Sequence, residues 1–225
     1  LEQSQFTIVS ANGIGHVIES LINSKVRNKK AGKNIKVNES SEEWPDYFIK
    51  VKKNRIPVEL KVFKGNNFGN DLGNLRVVLK KMAKFDTAHN DGLNVFLNQA
   101  WYVIIQYDLD SDGIIEPKKV FLKRMWQIAG RGTMTGHINN GGSGCNLRTN
   151  TSGIKKLLVT PVTNTKESFV EAVLDALYSD DPKCVLIRKK ASISTEDGIT
   201  MYNSILKQSK ELNLNVNVTY TKIII

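Results

Sequence analysis

The sequence predicts an α/β domain with a mixed central β-sheet flanked by helices. Three observations lead there. Short runs rich in β-branched and aromatic residues alternate with stretches of helical apolar spacing. The strand-like runs come in pairs joined by turn residues. And 225 residues, 40% of them hydrophobic, suffice for one sizeable core. A single domain over 1–225 is expected.

Residues 14–26 place Ile14, Val17, Ile18, Leu21, Ile22 and Val26 at helical spacing. Residues 27–43 are polar, basic and then acidic, and read as a loop. YFIKVKK (47–53) and IPVELKVF (56–63) have strand composition and are joined through Lys53-Asn54-Arg55, a hairpin turn. Residues 64–74 have the Gly/Asn density of a mobile loop, and 75–85 return to helical spacing. WYVIIQY (101–107) reads as a buried central strand, DLDSDG as a turn, and 114–124 as the next strand. Residues 130–153 form a long Gly-rich polar loop, a length that inside a compact domain usually goes with function or with mobility. Beyond it come a helix at 166–178, a short strand at 183–188, a helix at 196–212 and a final strand at 214–224.

Thirty-two Lys and Arg against 22 Asp and Glu give a net charge of +10. That excess favours a polyanionic partner, nucleic acid first and an anionic membrane surface second; the bland reading is the codon bias of an AT-rich genome. No run approaches the about 18 apolar residues of a membrane helix. Cys145 and Cys184 make neither a disulfide framework nor a zinc spacing, so a reducing, cytoplasmic setting is expected. No secretory signal is visible, and a chain starting at Leu1 is expected to be processed or cut from a longer one.

Chemistry concentrates in the first hairpin. Strand alternation puts Glu59 and Lys61 on one face and Leu60 on the other. A turn near Asn54 brings Asp46 roughly opposite the end of the second strand. Two carboxylates on rigid strands suit a hard divalent cation such as Mg2+, and the Leu60 backbone carbonyl can add a third oxygen. Such a cation polarises a phosphate, and Lys61 beside it can orient water and stabilise developing negative charge. These are the parts for hydrolysing a phosphodiester. Taken singly, a Glu-x-Lys pair is usually a solvated charge pair and Pro-Asp a common loop element; the weight lies on their joint placement.

Pro45-Asp46, twelve intervening residues, then Glu59-x-Lys61 resembles the motif of the PD-(D/E)xK nuclease superfamily, and over about 14–126 the order of elements is similar to that family's catalytic core. The resemblance implies a restriction-endonuclease-like core and a type II restriction enzyme that cuts double-stranded DNA with Mg2+ and leaves 5′-phosphate and 3′-hydroxyl ends. It also implies Glu19, on the helix at 14–26, as an acidic residue assisting through a bound water, and a homodimer acting on palindromes.

The loop 130–153 is the candidate recognition segment, ahead of a C-terminal α/β part over 160–225. Arg131, Thr135, His137, Asn139, Asn140, Asn146 and Arg148 are side chains of the kinds that read base edges. Lys64 and Asn66, just past the catalytic strand, are candidates for the DNA backbone. Lys25, Arg27, Lys29, Lys30 and Lys33 and the run 188–190 are weaker phosphate candidates. Asp108, Asp110 and Asp112 start like a calcium loop, but its twelfth position is Lys119. Gly141–Gly144 lack the Gly-Lys-Ser/Thr ending of a nucleotide loop, so no nucleotide cofactor is expected. Two further readings stand beside the restriction enzyme: a structure-selective or repair nuclease of the same superfamily, and a nucleic-acid-binding module without chemistry.

Overall fold

The computed structural model of the chain describes residues 17–18, 20–25, 34–38, 44–65, 71–84, 92–129, 146–148 and 165–218. Residues 17–18 and 20–25 are helical (α1). The strands are β1 (Ile35–Val37), β2 (Tyr47–Val51), β3 (Asn54–Lys64), β4 (Asp71–Asn74), β5 (Trp101–Leu109), β6 (Ile115–Lys123) and β7 (Asn146–Arg148). The further helices are α2 (Leu75–Ala83), a π-helical turn (Val95–Gln99), α3 (Met125–Ile128), α4 (Lys166–Tyr178), α5 (Pro182–Lys190) and α6 (Thr195–Glu211).

Among the described residues five strands form a mixed sheet in the order β1-β2-β3-β5-β6. Only β3 and β5 run parallel; the other neighbours are antiparallel. A parallel pair needs a crossover, and here it passes through β4, α2 and the π-helical turn, which lays helix on one sheet face. On that face Phe63, Tyr102 and Ile104 pack with Leu75, Val78 and Met82 of α2 and with the apolar stripes of α4 and α6. On the other face Val58 and Leu60 pack with Tyr47, Ile49 and Trp101, and α1 covers part of it through Ile18 and Ile22.

Side-chain hydrogen bonds tie the layers. Buried Gln208 of α6 accepts from the Leu93 N–H at 2.7 Å and donates to the Met82 carbonyl at 3.0 Å. The starts of α4 and α6 are capped: Thr165 accepts from the Ser168 N–H, and Ser194 from the Asp197 N–H. Among the described residues no helix is long and apolar enough to cross a membrane.

The α/β class and the central sheet agree with expectation, while several elements differ. KCVLIR is helical, not a strand: Pro182 opens α5, where its missing N–H costs nothing, and Cys184, Ile187 and Ala191 are buried at helical spacing while Val185 and Leu186 face water. A four-residue apolar run is ambiguous until its burial is seen. Residues 214–218 form no strand, and the rest of the expected 214–224 strand lies outside the described residues. Two expected loops contain strands, because β4 in 64–74 and β7 in 130–153 pair with each other as a separate ribbon. A third loop, 27–43, holds β1. The first hairpin turns at Lys52-Lys53, with Val51 and Asn54 as the closing pair. At 108–113 the Asp110 carboxylate accepts the Asp112 and Ile114 N–H groups, so it organises the β5–β6 turn.

Candidate active site

Register builds the site. Tyr47 pairs with Val58, so the next residues outward, Asp46 and Glu59, stand opposite each other. Two hydrogen bonds lock them. The Leu60 N–H donates to Asp46 Oδ2 at 2.7 Å, and the Asp46 N–H donates to Glu59 Oε2 at 3.2 Å. Each carboxylate thus grips the other's strand. One step along the same face, Lys61 Nζ lies 2.8 Å from Glu59 Oε1. Sequence alternation placed Glu59 and Lys61 together, and the structure brings Asp46 to them.

The approach to β2 is held by aromatic packing. Trp44, 4% exposed, stacks on Phe96 with ring centroids 4.2 Å apart. Phe96 is presented by the π-helical turn, a form of helix that recurs at functional sites. The Asn38 side chain donates to the Pro45 carbonyl at 3.1 Å, and the Asn38 N–H to the Asp46 carbonyl at 2.8 Å. Asp46 therefore stands on a short, braced segment and not on a loose loop.

Glu59 is 4% exposed, which is rare for a carboxylate. Burial pushes its pKa up to about 7; the Lys61 ammonium pulls it down and the Asp46 charge pushes it further up. Asp46 is raised too, by burial, against Lys61 and the Leu60 N–H. Tyr102, level with Glu59 on the parallel neighbour, is raised well above the ordinary phenol range by burial and by the Glu59 charge. It stays a neutral wall of the site. A buried and a half-buried carboxylate facing one ammonium are short of positive charge, and that shortfall fits a hard cation with oxygen ligands. Among the described residues no third His, Cys, Asp or Glu completes a metal cluster.

A family model, NgoBV restriction endonuclease, matches residues 1–213. The chain belongs to this restriction endonuclease family. It is a type II site-specific nuclease, and DNA is its substrate. The solved NlaIV restriction endonuclease shares its fold, with a TM-score of 0.64 at 18% identity over 97% of this chain and 82% of that one. No curated protein sequence matches.

Of the remaining candidates in this endonuclease, three lie among the described residues. Lys64, exposed at the end of β3, stands level with Tyr107 and so on the face opposite Glu59 and Lys61. Asn146 and Arg148 sit on β7, level with Asn74 and Asp71 of β4. Glu19, Asn66, Arg131, Thr135, His137, Asn139 and Asn140 lie outside the described residues. Sequence reading missed Trp44, Phe96 and Tyr102 as supports of the site. The aromatic pair flanking Pro45-Asp46 was a signal for the first, but only the parallel register puts Tyr102 beside Glu59.

Proposed function

We propose that this restriction endonuclease is a Mg2+-dependent member of the PD-(D/E)xK superfamily, with Asp46, Glu59 and Lys61 as its catalytic residues. The observation that carries the reading is the reciprocal locking of Asp46 and Glu59 across β2 and β3, with Lys61 in contact with Glu59. The two carboxylates and the Leu60 carbonyl would hold Mg2+. When bound, the ion supplies positive charge that stabilises both the carboxylate pair and the phosphate in the transition state. Lys61 orients the attacking water and neutralises charge on the scissile phosphate. Water adds to phosphorus, the bond from phosphorus to O3′ breaks, and O3′ takes up a proton. The products are a 5′-phosphate and a 3′-hydroxyl. Glu19 is assigned an assisting role through a bound water.

The whole chain serves as one endonuclease domain. In it, Arg131, Thr135, His137, Asn139, Asn140, Asn146 and Arg148 read base edges, and Lys64 and Asn66 touch the backbone. A homodimer on a palindromic site matches two-fold protein symmetry to two-fold DNA symmetry. The test is incubation of phage DNA with Mg2+, beside an EDTA control and Asp46→Ala. Discrete fragments that vanish in both controls are expected. Fragments that persist with Asp46→Ala would remove the metal-site assignment, and a metal-dependent smear would remove site specificity under those conditions.

A further inference from the structure

We propose that the tip of the β2–β3 hairpin is a phosphate-binding finger that grips the DNA backbone a few base pairs from the cut; this rests on the active-site assignment above. Between Tyr47 and Val58 the hairpin carries Lys50, Lys52, Lys53 and Arg55 and no acidic residue. Every residue from Lys50 to Arg55 is exposed, so among the described residues the tip projects past the core. A projecting strand pair with such a concentration of cations is suited to a polyanion and poorly suited to an apolar partner.

Register aims part of this charge at the active site's side of the sheet. Tyr47, Ile49 and Ile56 belong to the opposite face. Lys50 and its partner Arg55 therefore share the face of Asp46 and Glu59, and Lys36, level with Phe48 on β1, joins them. Arg55 is four residues from Glu59 along β3, or about 13 Å at about 3.3 Å per residue. A duplex rises 3.4 Å per base pair, so these cations reach phosphates about four steps from the scissile one.

A second, independent observation is the backbone at Lys52, whose φ is +55°. That left-handed conformation disfavours a residue with a Cβ and favours Gly or Asn in a tight hairpin. The turn geometry therefore gives no reason for lysine, and a strained position points towards function. Its charge, at the outermost point of the finger, supplies the reason.

The test measures binding and stability together. A labelled duplex of mixed sequence is titrated in EDTA over a range of salt with the wild-type chain, Lys50→Gln, Lys52→Gly, Lys53→Gln and the triple variant. Each single change is expected to lower the salt dependence by about one charge and to weaken binding alike on unrelated sequences. Lys52→Gly is expected to do so with an unchanged or higher Tm, a split that a purely structural residue would not show. Wild-type affinity and salt dependence in a folded triple variant would overturn the proposal. So would a Tm that falls in step with affinity in every variant. Asp46→Ala in the same titration, with cleavage assayed separately in Mg2+, separates the two readings: it is expected to keep the wild-type salt dependence in EDTA while losing cleavage in Mg2+. If Asp46→Ala still cleaves, the active-site assignment fails and the binding result stands by itself.

Discussion

The two ends of the β2–β3 hairpin are opposites. At its base, two carboxylates and one lysine meet on one strand face, and Glu59 is almost wholly removed from water. At its tip, four cations stand in water with no acidic residue among them. The same ladder of backbone hydrogen bonds supports both. The contrast reflects two physical needs. Holding a hard cation against a phosphate calls for a rigid, poorly solvated pair of oxygens. Attracting a DNA backbone calls for exposed charge that can shed counterions. On the proposed assignments one short ribbon would meet both needs, since one end is buried and the other exposed.

The sharpest way to break this contrast is at the base. Lys61→Ala is expected to lower the cleavage rate by about 10²–10³-fold while changing DNA affinity only a few-fold. Single-turnover cleavage and a binding isotherm measured side by side check it; equal losses in both would make Lys61 another binding residue. Next comes the aromatic brace. Phe96→Ala removes the partner of Trp44 from a fully buried position and is expected to cost about 3–4 kcal/mol of stability, read by urea unfolding. An unchanged midpoint would show that Asp46 is held by the backbone hydrogen bonds alone.

A smaller effect follows from the burial of Glu59. In the metal-free protein its pKa is about 7, well above that of the same side chain in the unfolded chain. The folded state binds the extra proton, so the favourable contribution of the neutral form is complete below about pH 4.5 and lost as pH rises through about 7. The raised Asp46 acts with the same sign. Metal-free protein is therefore expected to be more stable at pH 5.5 than at about pH 8, by of the order of 2 kcal/mol, and Glu59→Gln should flatten the profile. A melting profile of the variant as steep as that of the wild type would place the titrating group elsewhere. The smallest effect expected is at β7: Arg148→Ala should relax discrimination between cognate and one-base-changed sites by about 1–3 kcal/mol and leave the cleavage step nearly untouched. Unchanged discrimination would remove Arg148 from readout.

Much of the arrangement at the base of the hairpin was legible in the sequence, because a period of two fixes which residues share a strand face. Glu59 and Lys61 are two apart and fall together; Leu60 falls among the apolar residues of the other face. The locking of Asp46 was not legible in that way. It depends on where the hairpin turns, and Lys52-Lys53 carries no Gly or Asn to announce a two-residue turn. KCVLIR was misread for a related reason: a short apolar run does not say how many of its faces will be covered. The β4–β7 ribbon was invisible because its strands are three or four residues long and about seventy positions apart, beyond the reach of any local pattern.

The sequence by itself determined the α/β class, the basic character and the strand face shared by Glu59 and Lys61, since these follow from composition and local periodicity. Only the tertiary structure decided that Asp46 and Glu59 exchange hydrogen bonds, that Tyr102 of a strand more than forty residues away stands level with Glu59, and that the helix-covered face removes Glu59 from water. Register between strands, and the burial that follows from packing them, are properties of the assembled sheet.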